Sequence, residues 1–132
     1  MTVKNWIREF ADENPTFTSA GYECPPGRFA EWRAELFTPG FEHMVCTAVI
    51  AFTDRPPKAY PWSIAKNSSY WLKHAVEQWV KENPNPYYAT YIRNGAVIVA
   101  LASLFYEPKR RWLDGPNCEF KKKAPALWRP GR

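Results

Sequence analysis

Two short runs of this chain interleave cations with aromatic rings, the combination that holds phosphates and stacks on flat groups. Lys109-Arg110-Arg111-Trp112 and Phe120-Lys121-Lys122-Lys123 set six cations beside Trp112 and Phe120. Basic arms gain affinity for a polyanion by releasing its counterions, and rings between them can stack bases. From Pro108 to Arg132 eight basic side chains meet only Asp114 and Glu119, so this segment stands at +6 in a chain of net charge +5. Residues 1–107 are left near neutral, at −1. A neutral body with a cationic end is the layout of a protein that docks on something anionic: a nucleic acid, an acidic protein face or a membrane surface. Trp112 and Phe120 also have a plainer use, as anchors that pin the segment to the core.

Catalytic and metal-binding patterns are weaker. His43-x-x-Cys46 offers two ligands, which Cys24 and Cys118 could complete. In a strand, however, side chains three apart face opposite sides, and Cys46 reads better as a small core hydrophobe. Nothing in the spacing sets Cys24 or Cys118 beside His43 or His74 as a nucleophile and base. Gly-x-Ser-x-Gly, Walker, dinucleotide and Asp-x-Asp patterns are absent from the sequence. The expectation is a non-enzymatic protein without metal or cofactor. Three cysteines are an odd number, and disulfides are not expected in a reducing compartment. Residues 1–20 lack the apolar run of a signal peptide. The most apolar stretch, Ala96–Tyr106, is well short of the ~20 residues needed to span a bilayer. A cytoplasmic protein that uses no membrane is expected.

The elements that must position these groups follow from periodicity. Asn5 to Asn14 reads as a short helix, with Trp6, Ile7 and Phe10 on one face and Pro15 closing it. Residues 15–28 read as a loop. From Phe29 to Phe37, Ala30, Trp32, Ala34 and Leu36 alternate with Glu31, Arg33 and Glu35, the pattern of a half-buried strand. Pro39-Gly40 reads as a turn, and the β-branched run Phe41 to Phe52 as a second, more buried strand of an antiparallel hairpin. Pro56, Pro57 and Pro61 mark a rigid loop. Tyr70 to Glu82 places Leu72, Val76, Trp79 and Val80 at helical spacing, with Asn67, Ser68 or Ser69 as its cap. Thr90 caps a further helix, Tyr91 to about Phe105, apolar nearly all round and so buried and central. The β-branched content of Ala96–Val99 leaves a buried strand open there. Arg110–Leu113 and Cys118–Lys122, around Asp114-Gly115-Pro116-Asn117, read as a small hairpin with basic ends. Helix, β-hairpin, helix, helix and short β-hairpin make one α+β domain over residues 1–123, with an irregular basic tail over 124–132.

The two helices Tyr70–Glu82 and Tyr91–Phe105 mimic a helix-turn-helix. Their break of about seven residues is too long, since the motif uses three or four. A recognition helix must also present polar side chains to base edges. Here only Arg93 and Asn94 at the helix start could do so.

Three blocks carry a resemblance. Ser69-Tyr70-x-Leu72-Lys73-His74-x-x-Glu77, Tyr91-x-x-Asn94-Gly95-x-x-Ile98-x-Ala100 and Gly115-Pro116-Asn117-x-x-Phe120 together resemble a family of small, mostly uncharacterised bacteriophage and mobile-element proteins. The likeness covers about residues 68–120. Leu101–Phe105 departs from it, where the family tends to place a Gly after the helix. The resemblance implies a mobile-element origin and no catalytic residues. The resulting expectation is a phage-type interaction protein in a bacterial host. It would bind and sterically block a host protein or ribonucleoprotein, in the manner of an anti-CRISPR or anti-restriction inhibitor. The alternative is a small regulator that binds DNA or RNA directly through the basic hairpin. The residues expected to meet the partner are Lys109, Arg110, Arg111, Trp112, Lys121, Lys122 and Lys123, with Arg93 and Asn94.

Overall fold

The computed structural model describes residues 2–55, 68–110 and 115–122. Among them the chain forms an α+β arrangement of five helices and one two-stranded antiparallel sheet. These are α1 (Val3–Glu13), α2 (Phe29–Glu35), α3 (Pro39–Asp54), α4 (Ser69–Glu82), α5 (Asn94–Ser103), β1 (Tyr106–Lys109) and β2 (Glu119–Lys122). The expected first helix is present, as are the two expected in the second half of the chain. No single described helix is long and apolar enough to cross a membrane.

The hairpin expected over residues 29–52 is instead two helices. Its apparent alternation rests largely on Ala30 and Ala34, whose methyl groups tolerate exposure; both are exposed. The side chains that turn inward are Trp32, Arg33 and Glu35, half-buried, and Leu36, fully buried, in a segment rich in the helix formers Ala, Glu and Arg. The expected turn is a helix start. Thr38 Oγ1 accepts from the Phe41 N–H at 3.2 Å, and Pro39 occupies the first helical position. Phe41, Val45, Ala48 and Phe52 then fall on one buried face at i, i+4, i+7 and i+11. Burial at a 3.6-residue period overrides the β-preference of Thr47, Val49, Ile50 and Thr53.

Helix α5 is the central element, packed against α1, α3, α4 and β1, with Ala96 to Leu101 all buried. Ala96–Val99 is therefore helical. The helix begins at Asn94 and not after Thr90, because Arg93 is still extended. Two glycines set where it can start. A Cβ on Gly95 would lie 2.6 Å from the Thr18 carbonyl oxygen and 2.7 Å from that of Ser19, and the Gly95 N–H donates to Ser19 O at 2.9 Å. Gly21 adopts φ +119°, and a Cβ there would lie 2.2 Å from Pro116 O. The loop 14–28 is thus pressed against the head of α5. At the other end, Phe105 takes the left-handed conformation (φ 75°) usually filled by glycine.

The loop itself is held by side chains. Phe17 packs edge-on against Phe10 (4.7 Å between ring centroids) and Tyr22 (5.4 Å). Arg33 reaches from α2 to donate to the carbonyls of Ala11, Asn14 and Phe17 at 3.0, 3.0 and 2.8 Å. That guanidinium closes the end of α1 and fixes the loop in one step. The strand pattern of its neighbours in sequence puts it on a wet face instead.

A small antiparallel hairpin is present, its first strand formed by residues just before the expected one. β1 runs Tyr106–Lys109; of the first strand expected over Arg110–Leu113, all but Arg110 lies outside the described residues, while β2 lies close to its expected place. Cα partners are Tyr106–Lys122, Glu107–Lys121, Pro108–Phe120 and Lys109–Glu119. Tyr106 and Phe120 are buried, so Phe120 anchors the hairpin as expected, with Tyr106 on the partner strand. Trp112, the other expected anchor, lies outside the described residues. Cys118, just before β2, is tied to the start of α4: its N–H donates to Ser69 Oγ (3.1 Å) and its carbonyl accepts from the Ser69 N–H (2.8 Å).

Candidate binding cleft at the start of α5

The expected binding residues divide into two groups. In the hairpin, Lys109 and Lys121 are exposed, but each sits directly opposite a carboxylate-bearing residue, Glu119 and Glu107 respectively. These positions of the sheet therefore carry two cations and two anions, alternating across the strands, a stabilising and nearly neutral arrangement. Glu107 lies one residue before the segment whose charge dominates the sequence. Arg110 is half-buried. It lies over the Tyr22 ring (4.9 Å), 3.7 Å from Glu23, and donates to Gly115 O at 3.4 Å. Glu23 in turn accepts from the Gly115 N–H. Arg110 thus closes the loop against the hairpin turn. Lys122 is in β2; Arg111, Trp112 and Lys123 lie outside the described residues.

Arg93 and Asn94, the second group, sit where the three sequence blocks meet. Tyr70 and Lys73 come from α4, Tyr91, Arg93 and Asn94 from the approach to α5, and Pro116 and Asn117 from the segment before β2. With Ala20 they line one cleft of about 310 Å³. The break between α4 and α5 spans residues 83–93, longer still than a helix-turn-helix allows. Arg93 is turned inward: it lies over the Trp32 ring (4.8 Å), donates to Ser19 Oγ (3.0 Å) and approaches Glu35 (3.9 Å). Neither residue is presented as a recognition helix presents its side chains.

Glu77 organises the opposite wall. Its Oε1 meets Lys73 Nζ (3.2 Å) and His74 Nδ1 (3.3 Å), and its Oε2 accepts from the Ile92 N–H at 3.1 Å. Lys73 is thereby held over the Tyr91 ring, 5.2 Å from its centroid. Tyr70 and Tyr91 stay open to solvent, 53% and 54% exposed. Neither tyrosine is among the binding residues expected from the sequence. The one signal for them there is that both belong to the resembling blocks, whose convergence only the fold supplies.

Asn94 has a divided side chain. Its Nδ2 donates to Ala20 O (2.9 Å) and to Pro116 O (3.3 Å), two acceptors that fix which end of the amide is nitrogen. The residue is 8% exposed, and no donor among the described residues meets its Oδ1. A buried acceptor left in that state costs about 1–3 kcal/mol.

Other candidate chemistry does not assemble. His43 and Cys46 share a face of α3, contrary to the strand expectation, yet among the described residues no group of three metal-ligating side chains forms. His43 Nε2 instead shares a hydrogen bond with the Tyr87 carbonyl, which can only accept. Cys118 is buried, and desolvation pushes its thiol up to about 12, with Glu119 adding to the shift and Ser69 and Arg110 opposing it. A thiol so protonated is a poor nucleophile at neutral pH. Comparison with known protein families, curated proteins and solved structures finds no match to this chain.

Proposed function

We propose that this protein is a non-catalytic binding module that docks on another macromolecule through the aromatic rim of the α5 cleft. The observation that carries this reading is the pair of exposed tyrosines, Tyr70 and Tyr91, lining a cleft with a buried, unanswered acceptor at Asn94. Tyr and Trp dominate binding hot spots because they add large contact areas at low entropic cost. The partner class is a host protein or ribonucleoprotein that handles nucleic acid or defends against it. That choice rests on the resemblance of residues 68–120 to bacteriophage proteins, and steric occlusion is the mechanism it implies.

Direct nucleic-acid binding through the basic end is the second reading. It is favoured by exposed Lys121 in β2, which Lys122 and Lys123 follow in sequence. Affinity capture from a bacterial host extract, with the captured partner then purified and titrated, separates the two. The docking reading expects a partner whose binding falls at least about tenfold for Tyr70→Ala or Tyr91→Ala. Direct titration with DNA and RNA at about 50 and 200 mM salt gives the other arm. Steeply salt-dependent binding that vanishes in a Lys121–Lys123→Ala variant, with no protein captured, replaces docking by the second reading.

A further inference from the structure

Tyr87 is 82% exposed, more than any other large hydrophobic side chain among the described residues. The loop that carries it is well held. The Tyr87 N–H donates to Asn85 Oδ1 (2.9 Å), its carbonyl accepts from His43 Nε2, and the next ring, Tyr88, packs on Trp79 (5.2 Å between centroids). Pro84 and Pro86, both exposed, stiffen the backbone further. An aromatic ring held in water on a stiff loop adds contact area at little entropic cost when it is covered.

The α5 cleft matches this loop in charge. Residues 83–92 carry no charged side chain. In the cleft, Lys73 is paired with Glu77, and Arg93 with Ser19, Trp32 and Glu35, so neither cation calls for an anion. The surface left open is that of the Tyr70 and Tyr91 rings and of Asn117. Copies of a chain with net charge +5 repel one another, and they approach at least cost where both faces are neutral.

Loop and cleft also lie towards opposite ends of α4. Tyr70 and Lys73 belong to its start, and the loop begins where the helix stops at Glu82. Fourteen residues set those ends about 21 Å apart. Two copies with α4 antiparallel therefore bring each loop to the other's cleft, and a two-fold axis closes the pair. The same pairing sets exposed Lys81 opposite Tyr70 of the other copy, a cation against a ring.

We propose that a second copy of this chain occupies the cleft. Tyr87, on the stiff loop of Pro84 and Pro86, packs against Tyr70 and Tyr91 of the other copy, reciprocally across a two-fold axis. The dimer covers the cleft, so another macromolecule that uses it must displace a copy. The inference goes beyond the docking reading and can fail without it.

The test is sedimentation of the full chain from about 1 µM to about 1 mM, at about 50 and 500 mM salt. A reversible equilibrium between 15.4 kDa and twice that mass is expected, with a Kd of about 10–500 µM that changes less than about threefold with salt. Tyr87→Ala and Tyr91→Ala should each weaken it about tenfold or more, and their amide NMR spectra report whether the fold is kept. An equimolar mixture of the two variants is the sharper arm. The mixed dimer has one loop–cleft contact with both tyrosines intact and both losses in the other. It should be at least about threefold tighter than either variant alone. Wild type that stays monomeric to about 1 mM overturns the inference. So do variants that dimerise like wild type, a mixture no tighter than its components, or a dimer that falls apart at high salt. Capture of a host partner is read separately. Tyr87→Ala should capture it at least as well as wild type, since its cleft is freed; lost capture assigns Tyr87 to the partner and overturns the inference. Capture that persists with a monomeric wild type removes the dimer and leaves the docking role intact.

Discussion

The basic hairpin and the α5 cleft invert each other. The hairpin is dense in charge, but its strands pair Lys109 with Glu119 and Lys121 with Glu107, while Arg110 is spent on Tyr22, Glu23 and Gly115. The cleft draws few charges, and those are balanced, yet it combines two half-exposed tyrosine rings with a buried acceptor that no described donor meets. Charge along a sequence therefore marks where attraction is possible. Whether a partner can collect on it depends on what the fold has already placed opposite.

The sharpest way to break this contrast is at two glycines, one in each region. Gly21 abuts the cleft at φ +119°, and a Cβ added to it would lie 2.2 Å from Pro116 O and 2.6 Å from Asn94 Nδ2. Gly115, in the hairpin turn, has φ +104° and open space around it. Gly21→Ala should cost several kcal/mol, on the order of 3 or more, because strain and overlap add. Gly115→Ala should cost only the left-handed penalty, about 1–2 kcal/mol. Denaturant unfolding of both variants measures the difference. Equal losses would mean that the loop is not pressed against α5 as described.

A second, smaller effect probes the tie between the regions. Burial keeps the Cys118 thiol protonated to about pH 12 in the fold, while in the unfolded chain it ionises near the ordinary thiol value of 9.0. Because the folded value is the higher one, this contribution is complete below about pH 9 and lost progressively as pH rises toward 12. Stability should fall by about 2 kcal/mol between pH 8 and pH 10.5 from this group, and Cys118→Ala should flatten that part of the curve. Burial also raises the Tyr22 hydroxyl, with Cys118 adding to the shift and Arg110 opposing it, which extends the decline at the alkaline end. The smallest effect belongs to the exposed cations: Lys109→Ala and Lys121→Ala should each change stability by less than about 1 kcal/mol.

Much of this is legible in the sequence. Helices α1 and α4, the buried α5, the anchoring of Phe120 and the α+β class follow from period, proline breaks and apolar run length. Residues 29–52 mislead because Ala30 and Ala34 imitate alternation, and because Thr38-Pro39 starts a helix with the same residues that make turns. Arg93 and Asn94 stand out as polar groups at a helix start, which they are. Their inward orientation is not legible, since it depends on the loop around Ser19 and on Pro116, 74 and 22 residues away respectively. Tyr70 and Tyr91 look like packing residues for the same reason: nothing local tells an exposed ring from a buried one.

The central claim is that recognition resides in the cleft and not on the hairpin. The direct measurement is the affinity of the purified partner for two double variants, Tyr70→Ala/Tyr91→Ala and Lys109→Ala/Lys121→Ala, at about 50 and 200 mM salt. A cleft-centred site predicts a loss of at least about tenfold for the tyrosine pair at both salts and less than about threefold for the lysine pair. A steep loss for the lysine pair that shrinks with salt, with the tyrosine pair near wild type, would contradict it.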